Sequence, residues 1–117
     1  MVQRDVRDYL QDILQYIAIV ERLIDGITFE EFEGDEKIIL ALTRAVEVVG
    51  EAAKQIPLSL REQYSEIAWK QIIGMRDRLA HAYFSIDLDI LWNAALQDLQ
   101  TFKPTIQTML DRLDKDT

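Results

Sequence analysis

Residues 74–83 read Gly-Met-Arg-Asp-Arg-Leu-Ala-His-Ala-Tyr, and they include the only histidine of the chain. Read as part of a helix over residues 68–82, they continue an apolar stripe with steps of four, three, four and three residues. Arg76 then lies in the seam of an apolar face, where a cation costs several kcal/mol unless it is paired or faces a wet cavity. We therefore expect a partner or a ligand at Arg76. The stripe consists of Trp69, Ile73, Arg76, Ala80 and Tyr83.

The rest of the chain predicts an all-α protein, because apolar residues recur at helical spacing and no segment shows sustained strand alternation. We expect one domain over residues 1–117, folded as an up-and-down bundle of four or five helices. The predicted elements are helices over 3–25, 35–55, 68–82 and 88–102, a short helical turn over 59–64, and a loop over 28–34 anchored by Phe29 and Phe32.

Cap and breaker residues support these boundaries. Gly26 follows the first helix in the position that glycine favours at helix ends. Asp35 and residues 85–87 offer side-chain caps for the second and last long helices. Pro57 stops the second helix, and Pro104 either kinks the last one or starts a separate tail piece through Leu113.

Composition excludes several classes of site. The chain has no cysteine and one histidine, which rules out disulfides, thiolate metal sites and a multi-histidine zinc site within one chain. The formal net charge of −8 argues against a general nucleic-acid-binding surface. Residues 68–86 carry +2, from Lys70, Arg76 and Arg78 against Asp77, which leaves −10 for the remainder. Such a small positive focus can engage a few phosphates locally.

The sequence contains no membrane signal. No apolar run approaches the roughly 20 residues of a membrane helix, and the charged N-terminus lacks an apolar signal core. We expect a soluble cytoplasmic protein.

Helical spacing also bears on how the candidate residues meet. His81 follows Arg76 by five residues, roughly 140° around a helix, so the two do not share a face. Asp77 precedes His81 by four residues and would reach its ring. Gly74 leaves its face bare for a ligand or a partner backbone. Arg76 and His81 of one chain would converge poorly, which favours a site assembled by two copies.

The motif Arg76-x4-His81-x-Tyr83, preceded by Ile-x-Gly, resembles the signature of HEPN-domain proteins and more narrowly of the HepT-like family. The similarity extends to the run 68–74 and to Arg44-x2-Glu47-x2-Gly50-Glu51-Ala52 on the second helix.

The resemblance implies an endoribonuclease toxin that uses neither metal nor cofactor and cleaves RNA, such as tRNA or mRNA, in the cleft of a homodimer. The catalytic residues would be Arg76 and His81, with Asp77, Arg78 and Glu47 in support. The resemblance also implies an antitoxin, a minimal nucleotidyltransferase of the MntA type that adds AMP to Tyr83. Asp77 departs from the asparagine of many members, and an aspartate there would raise the pKa of His81.

The chemistry of these residues is compatible with RNA cleavage. RNA supplies its own nucleophile, the 2′-hydroxyl, so the protein needs a proton shuttle and a stabiliser of phosphate charge. Histidine is the side chain suited to a proton shuttle near neutral pH, and the guanidinium of Arg76 offers a fixed fork of donors. Tyr83 would stack on a splayed base or bond to phosphate.

Simpler interpretations stay open. Arg76 would pair with Glu47 or Glu51 of the second helix in the core, and His81 would be a structural or solvated residue. Trp69, Trp92, Phe29 and Phe32 are read as core or interface anchors. A second function class is a non-catalytic subunit that binds nucleotide or substrate for a separate nucleotidyltransferase.

Overall fold

The computed structural model describes residues 4–82 and 85–115, apart from the side chains of 80–82 and 85. Within this part of the chain the protein is helical except for one short antiparallel hairpin, so the predicted all-α class is confirmed. The elements are α1 (Val6–Ile24), α2 (Phe29–Glu33), α3 (Glu36–Lys54), α4 (Leu58–Glu62), α5 (Trp69–Ile73), α6 (Met75–Leu79), β1 (Ala80–Ala82), β2 (Ser85–Ile86), α7 (Leu88–Asn93), a π-helical segment (Ala94–Asp98) and α8 (Leu99–Lys115).

The long helices α1 and α3 both begin at side-chain caps. Asp35 caps α3 as predicted, whereas α1 begins at Val6 and not at the predicted residue 3. Asp5 and Asp8 form a reciprocal capping box at α1, with both backbone N–H groups donating at 3.1 Å. Gly26 follows α1 with a φ of +72°, which favours glycine. The Asp35 carboxylate accepts from the N–H groups of Lys37 and Ile38 at the start of α3. Local sequence alone therefore determines these ends.

The core lies where α1, α3 and α8 pack together. Each helix contributes one apolar face, and burial of such faces supplies the main stabilisation of the fold. Fully or almost fully buried residues include Leu10, Ile13 and Ile17 of α1, Leu42, Val46 and Val49 of α3, and Phe102, Ile106 and Met109 of α8.

The segment predicted as a loop over 28–34 contains a one-turn helix, α2. A second reciprocal capping box explains the difference, because Thr28 and Glu31 satisfy each other's backbone N–H groups at 3.1 and 3.0 Å. The predicted anchoring role of the aromatic residues is confirmed. Phe32 is fully buried and stacks on Trp92, with ring centroids 4.8 Å apart.

The predicted continuous helix over 68–82 is wrong. The α5 helix ends at Gly74, whose N–H donates to the Lys70 carbonyl at 2.9 Å. The chain then makes a single turn, α6, and continues into β1. The buried face of this segment also differs from the predicted stripe. Trp69, Ile72, Met75 and Leu79 are buried, whereas Arg76 is exposed.

The last helical region is longer than predicted. Asp87 caps α7 by accepting from the N–H of Ile90 at 3.0 Å, as expected. The α7 helix, the π-helical segment and α8 then follow one another without a gap as far as Lys115. Pro104 lies inside α8 and does not start a separate piece. Ile106 and Met109 beyond the proline are buried, and this burial offsets the lost backbone hydrogen bond.

The helices α3 and α5 approach each other most closely at Gly50. A Cβ atom built there would lie 2.7 Å from the Ile72 carbonyl oxygen and 3.4 Å from that of Ile73. Both atoms belong to backbone, so a side chain at position 50 requires the two helices to separate. Gly50 therefore fixes the end of α5, and the motif segment that follows it, against α3.

We predict that Gly50→Ala lowers the free energy of unfolding by about 1–3 kcal/mol, the usual cost of overpacking. The loss opposes alanine's advantage as a helix former, about 1 kcal/mol. Urea unfolding followed by circular dichroism measures it. Gly34→Ala is the matched control, because its Cβ would meet nothing nearer than 3.6 Å. Equal stability of both variants would contradict the close approach.

Candidate functional site

The candidate motif is divided between α6 and the hairpin. Met75 and Leu79 are buried on the inner face of the single turn α6. This leaves Arg76, Asp77 and Arg78 on its exposed side. Three charged side chains therefore project from a turn that two apolar residues hold against the core.

Arg76 lies beside Glu47 of α3. Its Nε is 3.7 Å from a Glu47 carboxylate oxygen, a distance typical of an ion pair and too long for a hydrogen bond. The Arg76 side chain is 75% exposed and that of Glu47 21%. Of the two partners that the simpler interpretation named, Glu47 is the one that pairs with Arg76, but the pair lies at the surface and not in the core. The predicted position of Arg76 in an apolar seam is also wrong. Met75 is buried in place of Arg76.

A shallow depression of about 230 Å³ lies between α3 and α6. Its charged groups are two cations and three carboxylates, so the local positive focus predicted for residues 68–86 is balanced by α3. The guanidinium of Arg76 is the charged group here that suits a phosphate best, because it presents several donors in one plane. The charged lining residues are Glu47, Glu51, Lys54, Arg76 and Asp77.

Arg78 points away from this depression. Its Nη1 is 4.0 Å from the Asp98 carboxylate in the π-helical segment and 3.9 Å from the Met75 sulfur. The Arg78 side chain is 38% exposed. Arg78 thus links α6 to the last helical region, and the structure does not place it with Arg76 and Glu47.

His81 lies in β1, where its backbone continues directly from α6. The hairpin pairs Ala80 with Ile86 and Ala82 with Ser85, with a bulge between the two pairs. The N–H of Asp87 donates to the Leu79 carbonyl at 2.8 Å and closes the base of the hairpin. This geometry holds the backbone of the histidine between α6 and α7.

The helix geometry predicted for Asp77 and His81 is wrong, because α6 ends at Leu79. The two residues are not one helical turn apart, and the 140° separation of Arg76 from His81 does not apply. The spacing of Arg76 and His81 along one helix therefore no longer supports a site assembled by two copies of the chain. The contact between Asp77 and the His81 ring lies outside the described side chains, and Tyr83 lies outside the described residues.

No role was predicted for Lys54 or Asp98 from the sequence, and Gly50 was named there only as part of the family pattern. Glu47, Gly50, Glu51 and Lys54 recur at helical spacing on one face of α3, so helical periodicity could have grouped them. Asp98 had no such signal, because its position depends on the π-helical segment.

Within residues 4–82 and 85–115, no helix is long and apolar enough to span a membrane. The same part of the chain contains no group of three or more histidine, cysteine or acidic side chains placed to hold a metal ion.

A predominantly helical fold that carries Arg76 on a single helical turn and His81 on the strand that follows agrees with the HEPN class that the Arg-x4-His motif indicates. The family described as ribonuclease HepT-like matches residues 13–109, and the chain belongs to this family.

Relatives span most of the chain. A protein of Thermococcus cleftensis named "Probable ribonuclease HepT" is 39% identical over 87% of this chain and 93% of its own length. A "Putative RNase" of Caldanaerobacter subterraneus is 36% identical over 91% of this chain and 95% of its own length. Another, of Methanocaldococcus jannaschii, is 36% identical over 99% of this chain and 93% of its own length. No solved structure matches the chain significantly.

We predict that Arg76→Ala changes the free energy of unfolding by less than about 1 kcal/mol, because exposed ion pairs contribute little. Met75→Ala, one residue earlier, should cost about 2–5 kcal/mol, since the methionine is buried. Urea unfolding of both variants measures this contrast. A large loss of unfolding free energy in Arg76→Ala, with little loss in Met75→Ala, would instead indicate that Arg76 is buried, as the sequence predicted.

Proposed function

We propose that the protein is a metal-independent endoribonuclease, with Arg76 and His81 as its catalytic residues. Membership of the ribonuclease HepT-like family and the printed names of its relatives support ribonuclease activity. The single structural observation that carries the assignment is the position of Arg76. Its guanidinium is solvent-exposed, approached by Glu47 on its Nε side, and carried by the turn that leads into the strand of His81.

The proposed reaction needs two proton transfers and one charged intermediate. The RNA 2′-oxygen forms a bond to phosphorus while the bond from phosphorus to the 5′-oxygen breaks. A base takes the proton of the 2′-hydroxyl, and an acid gives a proton to the departing 5′-oxygen. His81 serves in one of these two roles, because imidazole exchanges protons near neutral pH.

Arg76 stabilises the negative charge that develops on the phosphate oxygens. Glu47 approaches Nε and the Arg76 side chain is 75% exposed, so in this scheme the two terminal nitrogens of the guanidinium bind the phosphate. Glu47 orients the guanidinium in this scheme, and Asp77 and Lys54 border the same depression. Single-stranded or loop RNA fits this depression better than a duplex, because only one strand has to enter.

We predict that His81→Ala and Arg76→Ala each lower the rate of RNA cleavage by roughly 10²-fold or more, as expected for a lost acid–base or charge-stabilising group. Purified protein acting on total tRNA provides the measurement. Addition of EDTA should leave the wild-type rate unchanged.

Arg22→Ala is the matched control for this experiment. Arg22 is an exposed arginine in the last turn of α1. The C-terminal half of α3, which carries Glu47, lies beside the opposite end of α1. The variant should cleave at the wild-type rate. If EDTA abolishes cleavage and magnesium restores it, the metal-free mechanism is wrong. If the wild-type chain cleaves no RNA, the alternative of a non-catalytic partner subunit is favoured.

We further propose that the protein is the toxin of a toxin–antitoxin pair and acts as a homodimer with both motifs at one cleft. Its antitoxin would be an MntA-type nucleotidyltransferase that adds AMP to Tyr83. Each AMP brings about one negative charge and a bulky base. That charge would occupy the place of a substrate phosphate at Arg76 and repel further RNA. Light scattering at micromolar concentration measures the dimer, and a monomer would count against it.

We predict that wild-type chain co-expressed with the antitoxin gains multiples of the AMP mass and loses its toxicity to growing cells. Tyr83→Phe should gain no such mass and should remain toxic, because it lacks the acceptor hydroxyl. Intact-mass spectrometry and growth curves record both properties. Full neutralisation of Tyr83→Phe would instead indicate that the antitoxin simply occludes the cleft.

A further inference from the structure

A second depression, of about 400 Å³, lies on the neighbouring face of α3, between its C-terminal half and the start of α1. Arg4, Tyr9 and Asp12 line it from the α1 side, and Glu51 and Gln55 from the α3 side. The mechanism described above uses none of the three residues from the α1 side.

The guanidinium of Arg4 is held in place from two directions. Its Nη2 lies 2.7 Å from the Asp12 carboxylate. Its Cζ lies over the Tyr9 ring, 4.9 Å from the ring centroid. The Arg4 side chain is nevertheless 46% exposed. A planar cation is thus ordered on one side by a carboxylate and a ring, while part of its surface remains open to solvent.

Such an arrangement suits an unpaired nucleobase. Proteins that bind single-stranded RNA stack its bases on aromatic rings and on guanidinium planes. Asp12 already compensates the charge of Arg4, so the pair offers a flat surface more than a phosphate site. Because the guanidinium is ordered before binding, stacking a base on it costs little side-chain entropy.

The position of this depression relative to Arg76 gives it a role in the proposed reaction. Glu51 lines both depressions, so they adjoin across one ridge of α3. Neighbouring faces of one helix lie within its diameter, about 10 Å with side chains. A few nucleotides of extended single strand span that distance. A strand with its phosphate at Arg76 can therefore place a flanking base at Arg4.

We propose that Arg4 and Tyr9 form a base-stacking subsite for a nucleotide that flanks the scissile phosphate. This inference rests on the proposed ribonuclease function and names how the same site binds its single-stranded substrate. The subsite strengthens binding of longer RNA and contributes nothing to a dinucleotide that fills only the depression at Arg76.

Two substrates and two readouts test the subsite. Binding is measured by fluorescence anisotropy with a single-stranded 2′-O-methyl dodecanucleotide, which lacks the nucleophile and cannot be cleaved. Arg4→Ala and Arg4→Lys should each weaken binding on the order of tenfold, because both lose the planar group. In cleavage assays the same variants should raise KM for an unmodified dodecanucleotide, leave its kcat unchanged, and leave dinucleotide cleavage unchanged.

Arg22→Ala is the matched control, because Arg22 is an exposed arginine in the last turn of α1, outside this depression, and the variant should bind like the wild type. Wild-type affinity of Arg4→Lys would show that charge, not stacking, is used, and would overturn the inference. Equal losses for the dinucleotide and the dodecanucleotide would also overturn it. Unchanged RNA binding together with lost binding of a nucleotidyltransferase would assign the depression to a protein partner instead.

The two proposals fail in distinguishable ways. A wild-type chain that binds the 2′-O-methyl strand through Arg4 but cleaves no RNA would refute catalysis and retain the subsite. A chain that cleaves RNA but binds it equally well without Arg4 would retain the ribonuclease function and refute the subsite. Circular dichroism of each variant confirms that a loss of binding is not a loss of fold.

Discussion

The contact between Gly50 and the Ile72 carbonyl is the constraint on which the candidate site depends. It brings the end of α5 onto α3 more closely than any side chain at position 50 would allow. Because α6 follows α5 after one residue, the same contact also determines how far Arg76 lies from α3. Glu47 lies less than one helical turn before Gly50 and therefore stands next to that arginine.

The single turn α6 then determines which side chains face solvent. Met75 and Leu79 are buried, so the charged residues between them project outward. Arg78 reaches the π-helical segment of the last helical region, where Asp98 lies 4.0 Å away. π-Helical segments occur often at functional sites. The motif is thus held from two sides, by α3 and by the last helical region.

The candidate site shares the acidic character of the chain. The carboxylates of Glu47, Glu51 and Asp77 border the same depression as Arg76 and Lys54. A general attraction for polyanions is therefore weak here, and binding has to rely on specific contacts with phosphate and base. This balance of charge is not typical of a protein that coats nucleic acid.

The sequence by itself determined the helix ends at Gly26, Asp35 and Asp87, because caps and glycines act through neighbouring backbone groups. It also determined the all-α class and, through the Arg76-x4-His81 motif, the family. Only the tertiary structure decided that the helix predicted over 68–82 breaks at Gly74. A stripe with Arg76 and one with Met75 are both compatible with helical spacing in that segment. Packing against α3 selected the second, because it buries a methionine and leaves the arginine exposed.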